Sequence, residues 1–385
     1  MKKTTCIASL MVCLSMGQAG ALAQNIRIDM NKTYPEKTIS LQKVADVKYI
    51  PLETTDEALF NGVVTHLSAE GIAGFNKKEG DILVFDGTGK AIASFNHTGQ
   101  GPNEYNKIYH LDVDWKQKEV YVQDNFRQKI RIYALDGSHL RTIDLQETMQ
   151  QGDLYNFSDT HLIYYAQPKS KPVTPYEPVT LLSKKDASKA TLPFTKTDDN
   201  LVKATGGPFG DMKMSAKNVN LLCKKGNEVY VNEVTADVIY RVESNHALTP
   251  VVERTPSYQD ASGQDFFLML TGANARYYFF KRQQALLEFQ GNAATDTKST
   301  YVAYDRKEKQ LLNPTFTNED YPSQDISMSK LLQCAGSANR CYLQLEAFKL
   351  KEALAEGKLK GTLKSIAEKL DEEDNPVLMV VEFKK

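Results

Sequence analysis

A strand-turn-strand phrase that occurs three times limits what this chain can fold into more than any other feature. In its clearest copy, the glycine-rich connector Gly99–Tyr105 precedes four short apolar segments, the last of which ends at Ile143. Four strands in each unit of about 40 residues form one antiparallel sheet, and its two apolar faces must be covered by neighbouring sheets. The repeat therefore predicts an all-β fold whose sheets are arranged in a ring.

Apolar runs separated by turn residues predict five sheets along the chain. The first spans Val63–Phe95, with a turn at Asp86–Gly89, and the second spans Leu111–Ile143. The third sheet contains Leu162–Tyr165 and Val179–Leu182. The fourth contains Val229–Glu233 and Val238–Val242, which follow a second connector at Gly206–Gly210. The fifth contains Tyr277–Phe280, Ala285–Phe289, Tyr301–Tyr304 and Leu311–Leu312.

The two ends of the chain are expected to share a sixth sheet, because an open ring would expose unpaired strand edges. The C-terminal segment Val377–Phe383 is apolar on both faces, as expected of a strand between packed neighbours. Its N-terminal partner is either Ile39–Leu41 or Val47–Ile50. The predicted fold is an all-β, six-bladed β-propeller with four-stranded antiparallel blades, in which the N- and C-terminal strands share one blade.

One short helix insertion is expected just before the final strand. Four apolar residues there recur at the period of an amphipathic helix: Leu359, Leu363, Ile366 and Leu370. The apolar face of this helix either packs on the ring as a lid or docks a partner.

The first residues are organised as a secretory signal peptide. Lys2 and Lys3 form a basic start, a short apolar stretch follows, and Ala21-Leu22-Ala23 is a small-x-small cleavage site. Cleavage after Ala23 makes residues 1–23 the signal peptide and residues 24–385 a single exported domain, in the periplasm or at the cell surface. A lipid anchor on Cys13 is the alternative, although lipoprotein signals favour a smaller residue than Val12 before the cysteine.

The charge balance and the cysteine count narrow the functional classes. Removal of Lys2 and Lys3 with the signal peptide leaves 45 basic and 48 acidic side chains, a net charge of −3. The chain therefore lacks the excess of basic residues that is typical of nucleic-acid-binding proteins. No stretch reaches the ~20 uninterrupted apolar residues of a transmembrane segment. The cysteines that remain are too few for a disulfide scaffold. Cys334 and Cys341 either form a disulfide or are buried thiols, like Cys223.

The connector and the strands after it resemble an NHL-type repeat, although Asn103 stands where such repeats often have glycine. The whole mature chain also resembles the uncharacterised six-bladed β-propeller proteins exported by Bacteroidota. Ile50–Thr54, Gly99–Tyr105 and Asn375–Leu378 carry this second resemblance. It implies a propeller fold and an exported protein, and it implies no catalytic residues, because no reaction is assigned to this group.

Related six-bladed folds include metal-dependent lactonases and amidating lyases, so a metalloenzyme is the competing hypothesis, although fold alone does not transfer activity. The six histidines lie at positions 66, 97, 110, 139, 161 and 246, and no two have the spacing of a typical metal site. Asp112 and Asp114 are alternate residues of one strand and share a face. Such paired carboxylates serve acid-base chemistry, bind calcium or are simply solvated.

Binding is the better supported class, since loops of several blades meet on the rim of a propeller. The candidate ligand-binding residues lie in the second blade's connector and in a following turn: Gln100, Asn103, Glu104, Tyr105, Asp124, Asn125 and Arg127. The alternative is that this connector only shapes a bend. The aromatic run Arg276–Phe280 either stacks on a sugar or forms a core strand, and a core strand is the favoured interpretation.

The sequence therefore predicts an exported, monomeric, non-enzymatic binding or scaffold module that recognises a protein, peptide or glycan partner in the cell envelope. No cofactor and no metal are expected. The alternative is a metal-dependent hydrolase or lyase of the lactonase or amidating-lyase type. Convergence of at least three Asp, Glu, Asn or His side chains from different blades on one spot in the central tunnel would favour that alternative.

Overall fold

The computed structural model describes residues 26–124, 127–145, 154–165, 175–195, 201–205, 212–215, 222–225, 228–258, 260, 266–290, 293–294, 298–326 and 340–384. The predicted signal peptide, the second connector at 206–210, Asn125 and Cys334 lie outside these ranges. Among the residues described, no helix is long and apolar enough to span a membrane.

The chain begins with short elements that join sheets formed later: β1 (Ile26–Asp29), β2 (Glu36–Ser40), α1 (Leu41–Val44) and β3 (Ala45–Pro51). Three four-stranded antiparallel sheets follow in succession. Blade 1 contains β4 (Val63–Leu67), β5 (Gly71–Phe75), β6 (Ile82–Asp86) and β7 (Ala91–Phe95). Blade 2 contains β8 (His110–Asp114), β9 (Glu119–Asp124), β10 (Lys129–Ala134) and β11 (His139–Asp144). Blade 3 contains β12 (Leu154–Asn156), β13 (His161–Tyr165), β14 (Val179–Ser183) and β15 (Lys189–Thr191).

The second half of the chain completes the ring and adds one small sheet. After β16 (Leu201–Thr205) and β17 (Met212–Ser215), blade 4 contains β18 (Leu222–Lys225), β19 (Glu228–Val231), β20 (Val238–Val242) and β21 (Leu248–Thr255). The next strands are β22 (Phe266–Ala273), β23 (Tyr277–Gln284), β24 (Leu286–Gln290), β25 (Ala293–Ala294), β26 (Ser299–Asp305), β27 (Gln310–Asn318) and β28 (Tyr321–Ile326). Blade 5 is formed by β22, β23, β26 and β27, while β17, β16, β24 and β25 form the small sheet.

Blade 6 joins the two ends of the chain. It contains β29 (Arg340–Leu345) and β30 (Val377–Phe383), which are separated by two helices, α2 (Ala347–Ala355) and α3 (Gly361–Ala367). The third strand of its described part is β3, which pairs antiparallel with β30 so that Tyr49 lies opposite Met379. The predicted six-bladed propeller with a shared blade is thus confirmed, and the second of the two N-terminal candidates is the partner strand.

The N-terminal residues form a strap across three successive blades. β1 adds to the edge of blade 4 in parallel with β21, and β2 adds to blade 5 in parallel with β27. β3 then completes the described part of blade 6. The other N-terminal candidate, Ile39–Leu41, therefore contributes to the edge of blade 5 instead. Backbone groups at the edges of all three blades are covered by one continuous segment, which protects those edges from pairing with other chains.

The turns of the first two blades follow from their residues. Asp86 Oδ1 accepts hydrogen bonds from the backbone nitrogens of Thr88 (2.8 Å) and Lys90 (3.1 Å), and Gly89 has a φ of +93°. In blade 2, Gly137 has a φ of +89°, and Asp136 Oδ1 accepts a hydrogen bond from the backbone nitrogen of Ser138 (2.9 Å). Because only glycine adopts a left-handed backbone without a steric penalty, Gly89 and Gly137 suit these two turns, and the aspartates stabilise them.

The core lies between the blades. Side chains of blade 1 such as Phe75 and Ile82 pack against Leu111 and Val113 of blade 2, and the other interfaces are built in the same way. The apolar face of α3 is also part of the core, since Leu363 is completely buried in the cluster that unites blades 5 and 6. The predicted helix thus packs on the ring, and α2 is a second helix that the sequence pattern did not predict.

Blade 5 differs from its predicted strand order. The segment Ala285–Phe289 falls mainly in β24, which pairs with β16 of the small sheet, so its assignment to blade 5 is wrong. The strand of blade 5 that the sequence pattern missed is β22. The aromatic run Arg276–Phe280 forms part of β23, and its four rings are buried. The interpretation of that run as a core strand is therefore confirmed.

Candidate functional site

Side chains from two other blades and a backbone amide from a third converge on Asp112 of blade 2. Its Oδ1 lies 2.9 Å from His66 Nδ1 on β4, and its Oδ2 accepts a hydrogen bond of 2.7 Å from Lys224 Nζ on β18. The backbone nitrogen of Asn156 on β12 donates to the same Oδ2 at 2.8 Å. These residues lie on the first strands of blades 1 to 4, which line the central channel. Asp112 is only 4% exposed, so this contact set is internal to the protein.

The cluster keeps Asp112 ionised. Burial alone would raise its pKa, but the charge of Lys224 and the hydrogen bond from His66 outweigh burial and hold the pKa well below its usual range. An ionised carboxylate is only an acceptor, so His66 donates its Nδ1 proton to it. The ring of His66 also lines the cavity described below.

Asp114 has a partner of its own. Its Oδ2 accepts a 2.7 Å hydrogen bond from Lys184 Nζ, which blade 3 supplies, and both side chains are buried. Although burial raises the pKa of Asp114, the bond from Lys184 and the backbone nitrogen of Gln117 lower it overall. Of the alternatives for Asp112 and Asp114, simple solvation is therefore wrong, because both carboxylates are buried in ion pairs.

A cavity of about 360 Å³ opens beside these ion pairs. It is lined by residues of blades 1 to 4, most of them at or just after the ends of the innermost strands: His66, Ser68, Glu70, Val113, Asp114, Trp115, Asn156, Phe157, Ser158, Asp159 and Lys224. Two lining residues carry buried polar atoms without a hydrogen-bond partner, namely Asn156 Oδ1 and Trp115 Nε1. Such atoms are costly to leave unpaired, which makes them candidates for ligand contacts.

The cavity and the predicted connector site lie at opposite ends of the channel. Ser68, Trp115 and Ser158 follow the C-terminal ends of the innermost strands, whereas the connector precedes the N-terminal end of β8. Successive blades of a propeller run in the same direction, so these two sets of loops open on opposite faces of the ring. We name the first opening, lined by the residues above, the turn-side cavity.

Most of the predicted connector residues contact one another. Glu104 Oε2 accepts a 2.6 Å hydrogen bond from the backbone nitrogen of Gly101, and Arg127 donates to the carbonyl oxygens of Gly99 (3.1 Å) and Gly101 (3.0 Å). Arg127 also donates to Gln100 Oε1 at 2.6 Å. These bonds fix the shape of the connector, as expected if it only forms a bend.

Exposure separates the predicted connector residues further. Tyr105 and Asp124 are completely buried and have partners inside the protein. The Tyr105 hydroxyl donates a hydrogen bond to Gly80 O, and Asp124 Oδ2 accepts one from Arg131 Nη1 at 3.2 Å. Gln100 and Asn103 are exposed, whereas Asn125 lies outside the described ranges. Ligand binding by the exposed connector residues stays a prediction.

Replacing Arg127 by alanine tests the bracing of the connector. We expect a loss of about 1–3 kcal/mol in the free energy of unfolding, because four acceptors on the connector lose a charged donor. Arg27→Ala is the matched control, since its guanidinium is 75% exposed and pairs with a partly exposed Glu253. Equal urea midpoints for both variants would show that Arg127 does not brace the connector.

The free energy of unfolding is expected to depend on pH because the pKa of His110, on the innermost strand β8, is lowered in the folded state. Removal from bulk water lowers the pKa of His110 to about 4, and Lys224 acts in the same direction against the opposing effect of Asp112. The unfolded chain takes up a proton near pH 6.5, whereas the native state does so only near pH 4. The free energy of unfolding therefore decreases as the pH is lowered from about 6.5 to about 4, and His110 alone accounts for about 2–3 kcal/mol of this decrease.

Urea unfolding at pH 7 and pH 4.5, compared with His110→Gln, measures this contribution. The lowered pKa of His139 acts in the same direction but is present in both proteins and cancels. Identical pH dependences for the two proteins would contradict the assignment to His110.

The described residues contain no group of three or more His, Cys, Asp or Glu side chains placed to hold a metal ion. Cys341 is buried on β29, and Cys334, with which it forms a disulfide in one of the two alternatives above, is outside the described part of the chain. Lys224 and Asn156 were not predicted as site residues. Lys224 follows Asp112 by 112 positions in the sequence, so no local pattern connects them.

The chain belongs to the family described as domain of unknown function (DUF4934), whose model matches residues 25–382. Its fold is similar to that of a protein from Bacteroides fragilis NCTC 9343 described as exported, with a TM-score of 0.62, 15% identity, and coverage of 94% of this chain and 99% of that chain. The resemblance to exported propellers of Bacteroidota is thus confirmed at the level of the family and the fold.

Two further structures are more distant. A DUF4221-family member from Bacteroides vulgatus ATCC 8482 has a TM-score of 0.48 at 8% identity, covering 89% of this chain and 98% of that chain. Virginiamycin B lyase from Staphylococcus aureus has a TM-score of 0.41 at 9% identity, covering 87% of this chain and 99% of that chain. No protein of curated function matches the sequence. At these identities the likeness concerns the fold alone.

Proposed function

We propose that this DUF4934 propeller is an exported, non-enzymatic binding module of the cell envelope whose ligand occupies the turn-side cavity. The observation that carries the proposal is the meeting of four blades at one concave site. Binding sites of this kind are concave, are largely preformed and hold a few precisely placed polar groups. The signal-like N-terminus and the exported relative from Bacteroides fragilis support the location.

The buried ion pairs support a preformed site. Asp112 is held by Lys224 and His66, and Asp114 is held by Lys184, so the polar wall of the cavity is fixed before a ligand arrives. A preorganised wall loses little conformational entropy on binding, which favours affinity. The connector on the opposite face has already used most of its polar groups to hold its own shape, which makes it the weaker candidate.

Capture from envelope extract by the immobilised mature protein tests this proposal. Ser158→Phe places a large ring at the exposed rim of the cavity, and we expect it to abolish capture. Ser138→Phe is the matched control, because Ser138 is an exposed serine in a turn of blade 2 away from the cavity. Gln100→Ala combined with Asn103→Ala removes the exposed connector side chains, and capture is expected to persist.

The opposite pattern, in which the connector variant loses capture and Ser158→Phe retains it, would contradict the proposal. Melting temperatures within a few degrees of the unmodified protein confirm that each variant is folded.

A hydrolase or lyase is the second candidate, and one observation favours it. Asp112 is hydrogen-bonded to the buried His66, which lines the cavity, and a histidine oriented by a carboxylate is a common arrangement in general acid-base catalysis. The same extract assay distinguishes the two functions, because an enzyme would release a chemically altered product and His66→Gln would stop that release. If the protein were a binding module, the ligand would be recovered unchanged and EDTA would have no effect on capture.

A further inference from the structure

The buried polar atoms of the turn-side cavity that lack a hydrogen-bond partner are uncharged. Asn156 Oδ1 is an acceptor and Trp115 Nε1 is a donor, and neither has a partner among the residues described. Uncharged hydroxyl groups donate and accept at once, so vicinal hydroxyls satisfy such a set.

The charged lining residues are almost all neutralised within the protein. Lys224 pairs with Asp112, Asp114 pairs with Lys184, and the exposed Asp159 pairs with Lys116. Only Glu70, at the rim, has no ion-pair partner in the described structure. An anionic ligand therefore finds no unpaired cation among the described lining residues. A ligand that carries a charge of either sign inside the cavity would disturb an existing ion pair.

Trp115 adds an apolar surface to this set. One edge of its indole packs on blade 1, where a Cβ at Gly71 would lie 2.2 Å from Trp115 Cη2. The ring is also 6.2 Å from that of His66, so its position is fixed from two sides. A rigid, half-buried aromatic ring beside polar groups suits a ligand that has both a C–H face and hydroxyl edges.

We infer that, within the binding function proposed above, the ligand is the terminal unit of an uncharged saccharide. One of its hydroxyls donates to Asn156 Oδ1, one of its oxygens accepts from Trp115 Nε1, and a C–H face of the ring lies against the indole. The cavity of about 360 Å³ is near the lower end of the ~300–1,000 Å³ range of small-molecule sites, so it accommodates a terminal unit rather than an extended chain.

Trp115 is the only tryptophan of the chain, so its fluorescence reports on this cavity alone. The probes are the methyl glycosides of glucose, galactose, mannose and N-acetylglucosamine, titrated to millimolar concentration into the mature protein. We expect at least one of them to produce a saturable change in emission. Asn156→Ala is expected to weaken that binding about tenfold, since it removes one buried acceptor. Ser138→Ala is expected to leave the affinity unchanged.

Spermidine and an uncharged tripeptide serve as the competing probes. Saturable binding of either one, with no response to any glycoside, would overturn the saccharide assignment. The proposed function would still stand in that case if capture from envelope extract remained sensitive to Ser158→Phe. A glycoside response that is equally strong in Asn156→Ala and Ser158→Phe would also contradict the inference, because the sugar would then bind elsewhere.

Discussion

A chain that lacks Pro376–Lys385 is expected not to unfold cooperatively. The deletion removes β30, the middle strand of blade 6, which pairs with β29 on one side and with β3 on the other. Six of its side chains are at most 4% exposed, namely Val377, Leu378, Met379, Val380, Val381 and Phe383. At about 1.5–3 kcal/mol for each buried apolar side chain, the loss is of the order of 10–20 kcal/mol, which equals or exceeds the stability of an ordinary domain.

Point substitutions within β30 measure the same closure without removing the strand. Leu378 belongs to the core cluster shared with blade 1, whereas Met379 belongs to the cluster shared with blade 5. We expect Leu378→Ala and Met379→Ala each to lower the free energy of unfolding by about 2–5 kcal/mol. Lys384→Ala, at an exposed position, is the control. A truncated chain that melts cooperatively within a few degrees of the full chain would contradict closure through β30.

Lys224→Met is expected to lower the free energy of unfolding by about 3–5 kcal/mol. The substitution leaves Asp112 as a buried carboxylate without its cation, and removal of one partner is the costly way to break a buried pair. Because Lys224 helps to keep the pKa of Asp112 low, that pKa rises in the variant. The difference in stability between the variant and the unmodified protein should therefore shrink as the pH falls toward the raised pKa.

Urea unfolding between pH 4 and pH 8 measures this effect, with Asp112→Asn/Lys224→Met as the companion variant. The double variant removes both charges and is expected to recover part of the lost stability. A loss below about 1 kcal/mol for Lys224→Met, or a loss that does not change with pH, would show that Lys224 and Asp112 are not coupled as the structure indicates.

The sequence was sufficient to predict the positions of the regular blades, 1 and 2. Blade 1 has its predicted bounds, Val63–Phe95, and blade 2, at His110–Asp144, lies within one residue of the predicted Leu111–Ile143 at each end. Local chemistry explains this accuracy, because glycine-containing turns at Asp86–Gly89 and Asp136–Gly137 separate the third and fourth strands and the strand segments are short and apolar. Closure through Val377–Phe383 was also predictable, since a strand that is apolar on both faces must be buried on both faces.

Longer-range pairing was not predictable from local patterns. β22 and β24 flank β23 in the sequence and are both apolar runs, but β22 joins blade 5 whereas β24 pairs with β16, about 80 residues earlier. The parallel additions of β1 to β21 and of β2 to β27 likewise join residues that are more than 200 positions apart. Register between distant strands depends on packing in three dimensions, which periodicity does not encode.

The candidate site shows the same limit. The connector attracted attention because Gln100 and Glu104, with Arg127 in a following turn, are polar, and the structure shows that they bond to one another or to the connector backbone. The turn-side cavity is instead lined by residues of four blades that lie far apart in the sequence. Asp112 and Asp114 were recognisable as a pair on one strand face, but their partners Lys224 and Lys184 lie 112 and 70 positions away.

The central claim, that the turn-side cavity is where the protein binds its ligand, is tested most directly by fluorine NMR of the mature protein labelled with 5-fluorotryptophan. Trp115 is the only tryptophan, so the spectrum contains one resonance, and it arises from the cavity. We predict that envelope extract shifts or broadens this resonance in the unmodified protein and in Ser138→Phe, but not in Ser158→Phe. An unchanged resonance under conditions in which the protein captures a partner would contradict the claim.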